Sequence, residues 1–198
     1  MLELLTGTGL AVAAGLNAYV PMLVLGLAGR FLDFVELPSA WAWLENEWVL
    51  LILGVLLVIE LVADKIPAVD SINDVVQSIV RPAAGGIVFG TGASTTTAAV
   101  TDPAAFFESS AWVPVVTGIV IALVVHGAKM FVRPAANALT AGAAAPVLST
   151  GEDIGSLLFS LFAILIPILV IVALIALVVL VISVFRRLRK QRRSVAPA

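Results

Sequence analysis

Within fifteen residues the sequence places four carboxylates, an amide and an amine: Glu60, Asp64, Lys65, Asp70, Asn73 and Asp74. Glu60 and Asp64 are four apart, so on a helix they share one face. Glu60 ends a strongly apolar stretch, and a carboxylate within a membrane is costly unless it serves an ion or proton pathway or is paired. Two readings follow for Glu60 and Asp64: ligand or proton carrier, or a salt bridge to Lys65, Arg81 or Lys129 that pins helices together. Beyond Pro67, Val69, Ile72, Val76 and Ile79 form an apolar stripe, and Asp70, Asn73, Asp74 and Gln77 a polar one. This is an amphipathic helix, lying on a membrane surface or tucked into a bundle, whose acids are either functional or a solvated face.

Two Arg-Pro pairs offer a second chemistry. Arg81-Pro82-Ala83-Ala84-Gly85 recurs as Arg133-Pro134-Ala135-Ala136-Asn137. Proline is common in the first helical turn, so each pair reads as a helix start, with the arginine marking a cytoplasmic boundary. Two such starts converging would bind a phosphate-like anion or an anionic lipid headgroup. His126 is the sole histidine and there is no cysteine; a single His, placed near Lys129, suits a proton relay better than a transition-metal site. Asn17 and Tyr19 are polar groups in an apolar stretch that either line a site or bond across helices. No cofactor motif, phosphate-binding loop, metalloprotease pair or nucleophile elbow is present. A metal site is left open by the sequence.

These groups sit in a chain built for lipid. Hydrophobic residues make up 61% of 198, charged ones only 12%, and mean hydropathy is +1.14. The net charge of −2 conceals a local excess, since six of the eleven basic residues lie between Arg186 and Arg193. Directly after an apolar run, such a tail is an orientation signal rather than a nucleic-acid site. A signal peptide is not expected at the N-terminus, because Glu3 stands where a basic residue belongs and the apolar run is too long.

A hydrocarbon core of about 30 Å takes about 20 helical residues. Leu4 to Ala28, Trp48 to Ala63, Val113 to Ala128 and Ile154 to Phe185 read as spans, the last tilted or bent at Pro167. Ala83 to Val100 and Ala135 to Leu148 are short and rich in small residues, which predicts inner or re-entrant elements. Arg81 matches Arg133 and Gly90 matches Gly142 at an offset of 52; Gly54 matches Gly118 and Lys65 matches Lys129 at 64. These matches predict a duplicated helical hairpin with a site at the repeat interface. With about six segments and both termini inside, Lys65, Arg81, Lys129, Arg133 and the tail face the cytoplasm. Asp33, Glu36, Glu45, Glu47, Asp102, Glu108, Glu152 and Asp153 then lie in outer loops, and Trp41, Trp43, Trp48 and Trp112 at the outer interface.

Gly15-Leu16-Asn17-Ala18-Tyr19-Val20-Pro21, the acidic segment from Glu60 to Asp74 and the following Arg81-Pro82-Ala83-Ala84-Gly85 resemble the small bacterial membrane proteins grouped as domain-of-unknown-function family 4126. The resemblance runs from Leu4 to about Phe185 and implies a class without an activity. The expected architecture is an all-α, polytopic membrane bundle: one transmembrane domain over residues 1–185 and a basic cytoplasmic tail over 186–198, in the bacterial inner (plasma) membrane. The expected function is transport of a small charged solute or lipid headgroup, coupled to a proton or cation. The alternatives are a scaffold or assembly partner whose buried charges only pin helices and, third, a lipid-acting intramembrane enzyme. The expected partners are the bilayer and a small ion or anionic lipid headgroup, with no nucleic acid; a homo-oligomer is compatible with such a bundle.

Overall fold

The computed structural model describes residues 2–93 and 112–195, and every regular element among them is helical. The helices are α1 (Leu2–Leu16), α2 (Tyr19–Phe31), α3 (Glu47–Ala63), α4 (Pro67–Ala93), α5 (Trp112–Thr140), α6 (Ala144–Leu165) and α7 (Leu169–Val195), with one 3-10 turn at Ala42–Glu45.

The first expected span is not one helix. The Asn17 N–H donates to the Ala13 carbonyl at 2.9 Å, closing α1. Its side-chain Oδ1 accepts from the N–H groups of Tyr19 (3.0 Å) and Val20 (3.2 Å), opening α2. One residue therefore terminates a helix and caps the next. The two halves run in opposite directions. Along α1, Gly15 lies by Arg81 and Gly7 by Phe89 and Ala93, so α1 is antiparallel to α4. Along α2, Gly26 meets Leu50 and Arg30 meets Glu47, so α2 is antiparallel to α3. Because α3 and α4 are themselves joined by a short turn, α1 and α2 form a hairpin that enters from the end carrying residues 32–46. At about 22 and 20 Å, neither arm matches a hydrocarbon core of about 30 Å.

The remaining helices wrap this hairpin. Ser78 and Asp74 of α4 sit beside His126 and Lys129 of α5, and Gly85 packs on Gly118, an antiparallel pair in backbone contact. On α6, Ser156 bonds the Ala13 carbonyl and Ala163 packs by Gly9. Val170 of α7 also meets Gly9, while Ala173, Leu174 and Leu177 pack on the group formed by Val12, Ala13, Leu16 and Phe159. Thus α7 runs parallel to α1, and the chain's two ends lie at opposite ends of the bundle. The expectation of both termini on one side is corrected by the break at Asn17, which removes one crossing.

Other boundaries move as well. Ile154 to Phe185 divides at Pro167, which has no N–H to continue α6. Pro82 and Pro134 lie inside α4 and α5, not at helix starts. Residues 112–140 form one helix where the matched residues 47–93 form two, so the sequence matches are not a duplicated hairpin. Ala135 to Leu148 is no inner element: it comprises the end of α5, a turn and the start of α6. Gly142 occupies that turn at φ 88°, a left-handed conformation that glycine adopts without strain. Most of residues 83–93 do lie in the interior, as expected; 94–100, Asp102 and Glu108 fall outside the described residues.

Along α4 the distribution of polarity is the reverse of that expected in water. Ile72, Val76 and Ile79 of α4 are exposed while Asp74, Gln77 and Arg81 on its other side are buried. The amphipathic segment is therefore tucked into the bundle with its polar face inward. Helices α5 and α6 are each long and apolar enough to cross a membrane, and less than a third of the apolar window of each is buried. Both features point to a membrane protein.

A Cβ on Gly118 would meet Phe89 Cβ at 2.5 Å and the Gly85 carbonyl carbon at 2.8 Å, whereas one on Gly127 meets nothing within 4 Å. Gly118→Ala should therefore cost about 1–3 kcal/mol by overpacking, and Gly127→Ala should gain about 0.5–1 kcal/mol, both read by unfolding in detergent. In this cysteine-free chain, single cysteines at positions 3 and 45 should react with an impermeant reagent from the same side of the membrane, and a tag after residue 198 should be accessible only from the other.

Candidate functional site

The turn from α3 to α4 presents Asp64 to three cations. Its Oδ2 lies 3.2 Å from Arg133 Nη2, 3.4 Å from Lys129 Nζ and 3.7 Å from Arg81 Nη2. Its Oδ1 accepts from Asn73 Nδ2 at 2.7 Å. The cations have other partners too. Arg81 Nη2 donates to Glu60 Oε1 at 2.8 Å, and Lys129 reaches Glu152 Oε2 at 3.0 Å and Asp74 Oδ1 at 3.8 Å. Arg133 holds Glu152 with both Nε, at 3.1 Å, and Nη2, the two-pronged geometry that suits guanidinium and carboxylate. Glu60, Asp64, Arg81 and Arg133 are each at most 2% exposed.

Among the described residues, four carboxylates (Glu60, Asp64, Asp74, Glu152) thus face three cations (Arg81, Lys129, Arg133), one more negative charge than positive. The pairing also leaves polar atoms over. Among the described residues, Glu60 Oε2, Asp74 Oδ1, Gln77 Oε1 and Arg81 Nε are buried without a hydrogen-bond partner. Such atoms cost about 1–3 kcal/mol each and are uncommon without a reason.

His126 joins the network through its ring. Arg81 Nη1 lies 3.4 Å from Nδ1, and Ser78 Oγ lies 3.1 Å from Nε2. A guanidinium offers only donors, so Nδ1 accepts and the imidazole is neutral with its proton on Nε2, donated to Ser78 Oγ. The Ser78 hydroxyl in turn donates to the Asp74 carbonyl at 2.8 Å.

The hairpin tip abuts this cluster. Arg81 Nη1 approaches the Gly15 carbonyl at 3.4 Å, and Asn17 Nδ2 donates to Asp153 Oδ1 at 3.0 Å. Lys65, partly exposed, lies 4.0 Å from Asp153 Oδ2. Ser156 donates to the Ala13 carbonyl at 2.9 Å, and its hydroxyl is 3.4 Å from the Asn17 carbonyl. Tyr19, in the first turn of α2, interacts with the Gln77 side chain and lies in the fields of Glu60 and Arg81.

Of the residues singled out in the sequence, Glu60, Asp64, Asn73, Asp74, Arg81, Lys129, Arg133 and His126 converge on one site. Asn17, Tyr19 and Lys65 border it, and the side chain of Asp70 lies outside the described residues. The twin anion-binding helix starts are not formed, because each proline is mid-helix and each guanidinium is engaged by carboxylates. Glu152 and Asp153, expected in an outer loop, lie within α6 and complete the cluster. Their sequence signal was the spacing of Ser149, Glu152, Ser156 and Ser160, which lays one polar stripe along a helix; all three serines are buried. Among the described residues, no three acidic or histidine side chains are grouped as metal ligands.

Residues 4–187 match the family described as Domain of unknown function (DUF4126). The chain belongs to that family. No curated protein and no solved structure is detectably similar to it. Within this DUF4126 chain, both the hairpin tip and all the cluster residues fall inside the matched region.

Asn17 supplies two capping bonds and the bond to Asp153. Asn17→Ala should lower stability by about 1–2 kcal/mol, as loss of a helix cap does. Asn17→Asp, which keeps the cap acceptor but sets a carboxylate against Asp153, should be no better. Thermal unfolding of the purified protein in detergent reads both.

Proposed function

We propose that this chain is a multi-pass transporter of the bacterial inner membrane that carries a small cation or a proton, or couples one to a solute, through the cluster around Asp64. In this reading the basic tail of α7 is cytoplasmic by the positive-inside rule, which puts the N-terminus and the tryptophan-rich segment Trp41–Trp48 outside. The observation that carries the proposal is the surplus negative charge, buried and left with unpartnered carboxylate oxygens, at the tip of a hairpin shorter than the membrane. Broken helices ending at membrane depth are tolerated where protein or a polar cavity surrounds them, and in transporters such ends form ion sites. A cation is favoured over an anionic solute or lipid headgroup because Arg81 and Arg133 are each already paired with carboxylates, Glu60 and Asp64 for the first and Asp64 and Glu152 for the second.

The scaffold reading is favoured by one fact, the full engagement of Asp64 by three cations and an amide. Replacement of one member of a buried network destabilises whether or not the network conducts, so stability alone does not separate the two. Charge movement does. Proteoliposomes on a sensing electrode should show a transient current on a jump in proton, sodium, potassium or calcium concentration, and no response to a phosphate jump. Glu60→Gln proteoliposomes, loaded at equal density with folded protein, should be silent. Folded wild-type protein that gives no current for any of these ions would leave the scaffold as the function.

A further inference from the structure

Helix α7 changes character at one point. Leu169 to Phe185 carries no charge and rises about 25 Å as helix, close to a hydrocarbon core of about 30 Å. Arg186-Arg187-Leu188-Arg189-Lys190-Gln191-Arg192-Arg193 continues the same helix without a break. The basic block therefore starts at the depth where lipid headgroups begin. No carboxylate follows Asp153 in the sequence, so α7 holds no acid of its own for these cations. Because α7 runs antiparallel to α4, its basic end lies on the side of the α3–α4 turn. There the Lys65 side chain is 43% exposed, while none of Glu60, Asp64, Asp74, Glu152 and Asp153 exceeds 17%. Glu3, Asp33, Glu36 and Glu47 are exposed at the opposite end. The bundle grips α7 at Val170, Ala173, Leu174 and Leu177, well before the basic block, whereas Val178, Val179, Leu180 and Ile182 are exposed. We propose that Arg186 to Arg193 form a binding surface for anionic phospholipid headgroups, which anchors the end of α7 in the cytoplasmic leaflet. The inference shares the cytoplasmic placement of the tail with the proposed function and is independent of transport.

The spacing of the block fits headgroups better than other occupants. On a helix of 3.6 residues per turn its six cations fall on every side except the sector of Leu188 and Gln191. A helix that docks in a protein groove needs an apolar stripe, and this block has one leucine. A helix that lies flat on the membrane needs the same stripe. A helix that is basic nearly all round instead stands in the headgroup layer and meets phosphates from several sides, each cation near the surface adding to the attraction. Nucleic acid offers phosphate as well, but no aromatic residue interleaves with these cations to stack a base.

The test measures lipid selectivity of the full chain in nanodiscs of mixed phosphatidylglycerol and phosphatidylcholine, with a spin label on one lipid or the other. A nanodisc leaves both faces open to the buffer and asks for no ion movement, so the outcome depends on neither topology nor transport. Labelled phosphatidylglycerol should be immobilised at the protein severalfold in preference to labelled phosphatidylcholine at low salt. The preference should fall toward unity as salt shortens the Debye length from about 10 Å at 0.1 M to about 3 Å at 1 M. The combined variant Arg186→Gln, Arg187→Gln, Arg189→Gln, Lys190→Gln, Arg192→Gln and Arg193→Gln should lose the preference and keep the helical circular dichroism of wild type. The wild-type salt titration keeps the proposal testable if that variant does not insert. Equal immobilisation of both lipids at low salt would overturn the proposal. So would a preference that survives in the six-residue variant, which would place the lipid contact at Lys65 or Arg30. Displacement of the labelled lipid by a stoichiometric RNA oligonucleotide, or by inorganic phosphate at matched ionic strength, would assign the block to those anions instead. A preference found in protein that moves no charge across a membrane would uphold the headgroup surface and defeat the transport reading alone.

Discussion

One carboxylate oxygen, Asp64 Oδ2, is shared by Arg81, Lys129 and Arg133, and the arrangement of the helices follows from that sharing. The three cations come from α4 and α5, two helices whose backbones touch at Gly85 and Gly118. Without a common anion, three positive charges within a few ångströms at low dielectric would repel strongly. The anion is delivered by the turn after α3, fixed in place by Asn73. Glu152 on α6 then ties Lys129 and Arg133 to a fourth helix. Desolvation makes such a network a poor source of net stability compared with an apolar core.

Placement of the hairpin tip depends on small residues. Gly7, Gly9 and Gly15 of α1 pack against Phe89, Val170 and Val125, and a Cβ at any of them would crowd a neighbour. Close packing on three sides lets α1 penetrate far enough for the Gly15 carbonyl to meet Arg81. Lipid completes the structure from outside: the exposed faces of α3 and α4 are valine, leucine and isoleucine. Only in a bilayer does that surface cost little, since hydrocarbon solvates it while charges stay within.

Much of the site was legible because intramembrane charge is expensive. Glu60, Asp64, Arg81, Lys129 and Arg133 stood out in an apolar chain, and they meet. What misled was proline. Pro82 and Pro134 read as helix starts, yet inside a bundle neighbouring groups accommodate a missing N–H and the helix continues. Asn17 reads in the sequence as a group that lines a site or bonds across helices; it does bond across to Asp153, 136 residues away, and its Oδ1 also caps a new helix, which an unbroken apolar run does not announce. Charge counting sent Glu152 and Asp153 outward, because a rule about loops has no means of registering acids already neutralised by buried cations. The all-helical class and its lipid setting followed from composition alone, whereas helix direction did not.

If Asp64 is the anion on which α4 and α5 depend, its charge must matter by position rather than by number. Asp64→Asn keeps the side chain's shape while removing the one anion that all three cations share. Unfolding of this variant in lipid nanodiscs is the most direct measurement. We expect it to lose about 3–5 kcal/mol relative to wild type, the cost of breaking a buried pair from one side. A variant that unfolds with the wild-type protein, or above it, would contradict the central role of Asp64.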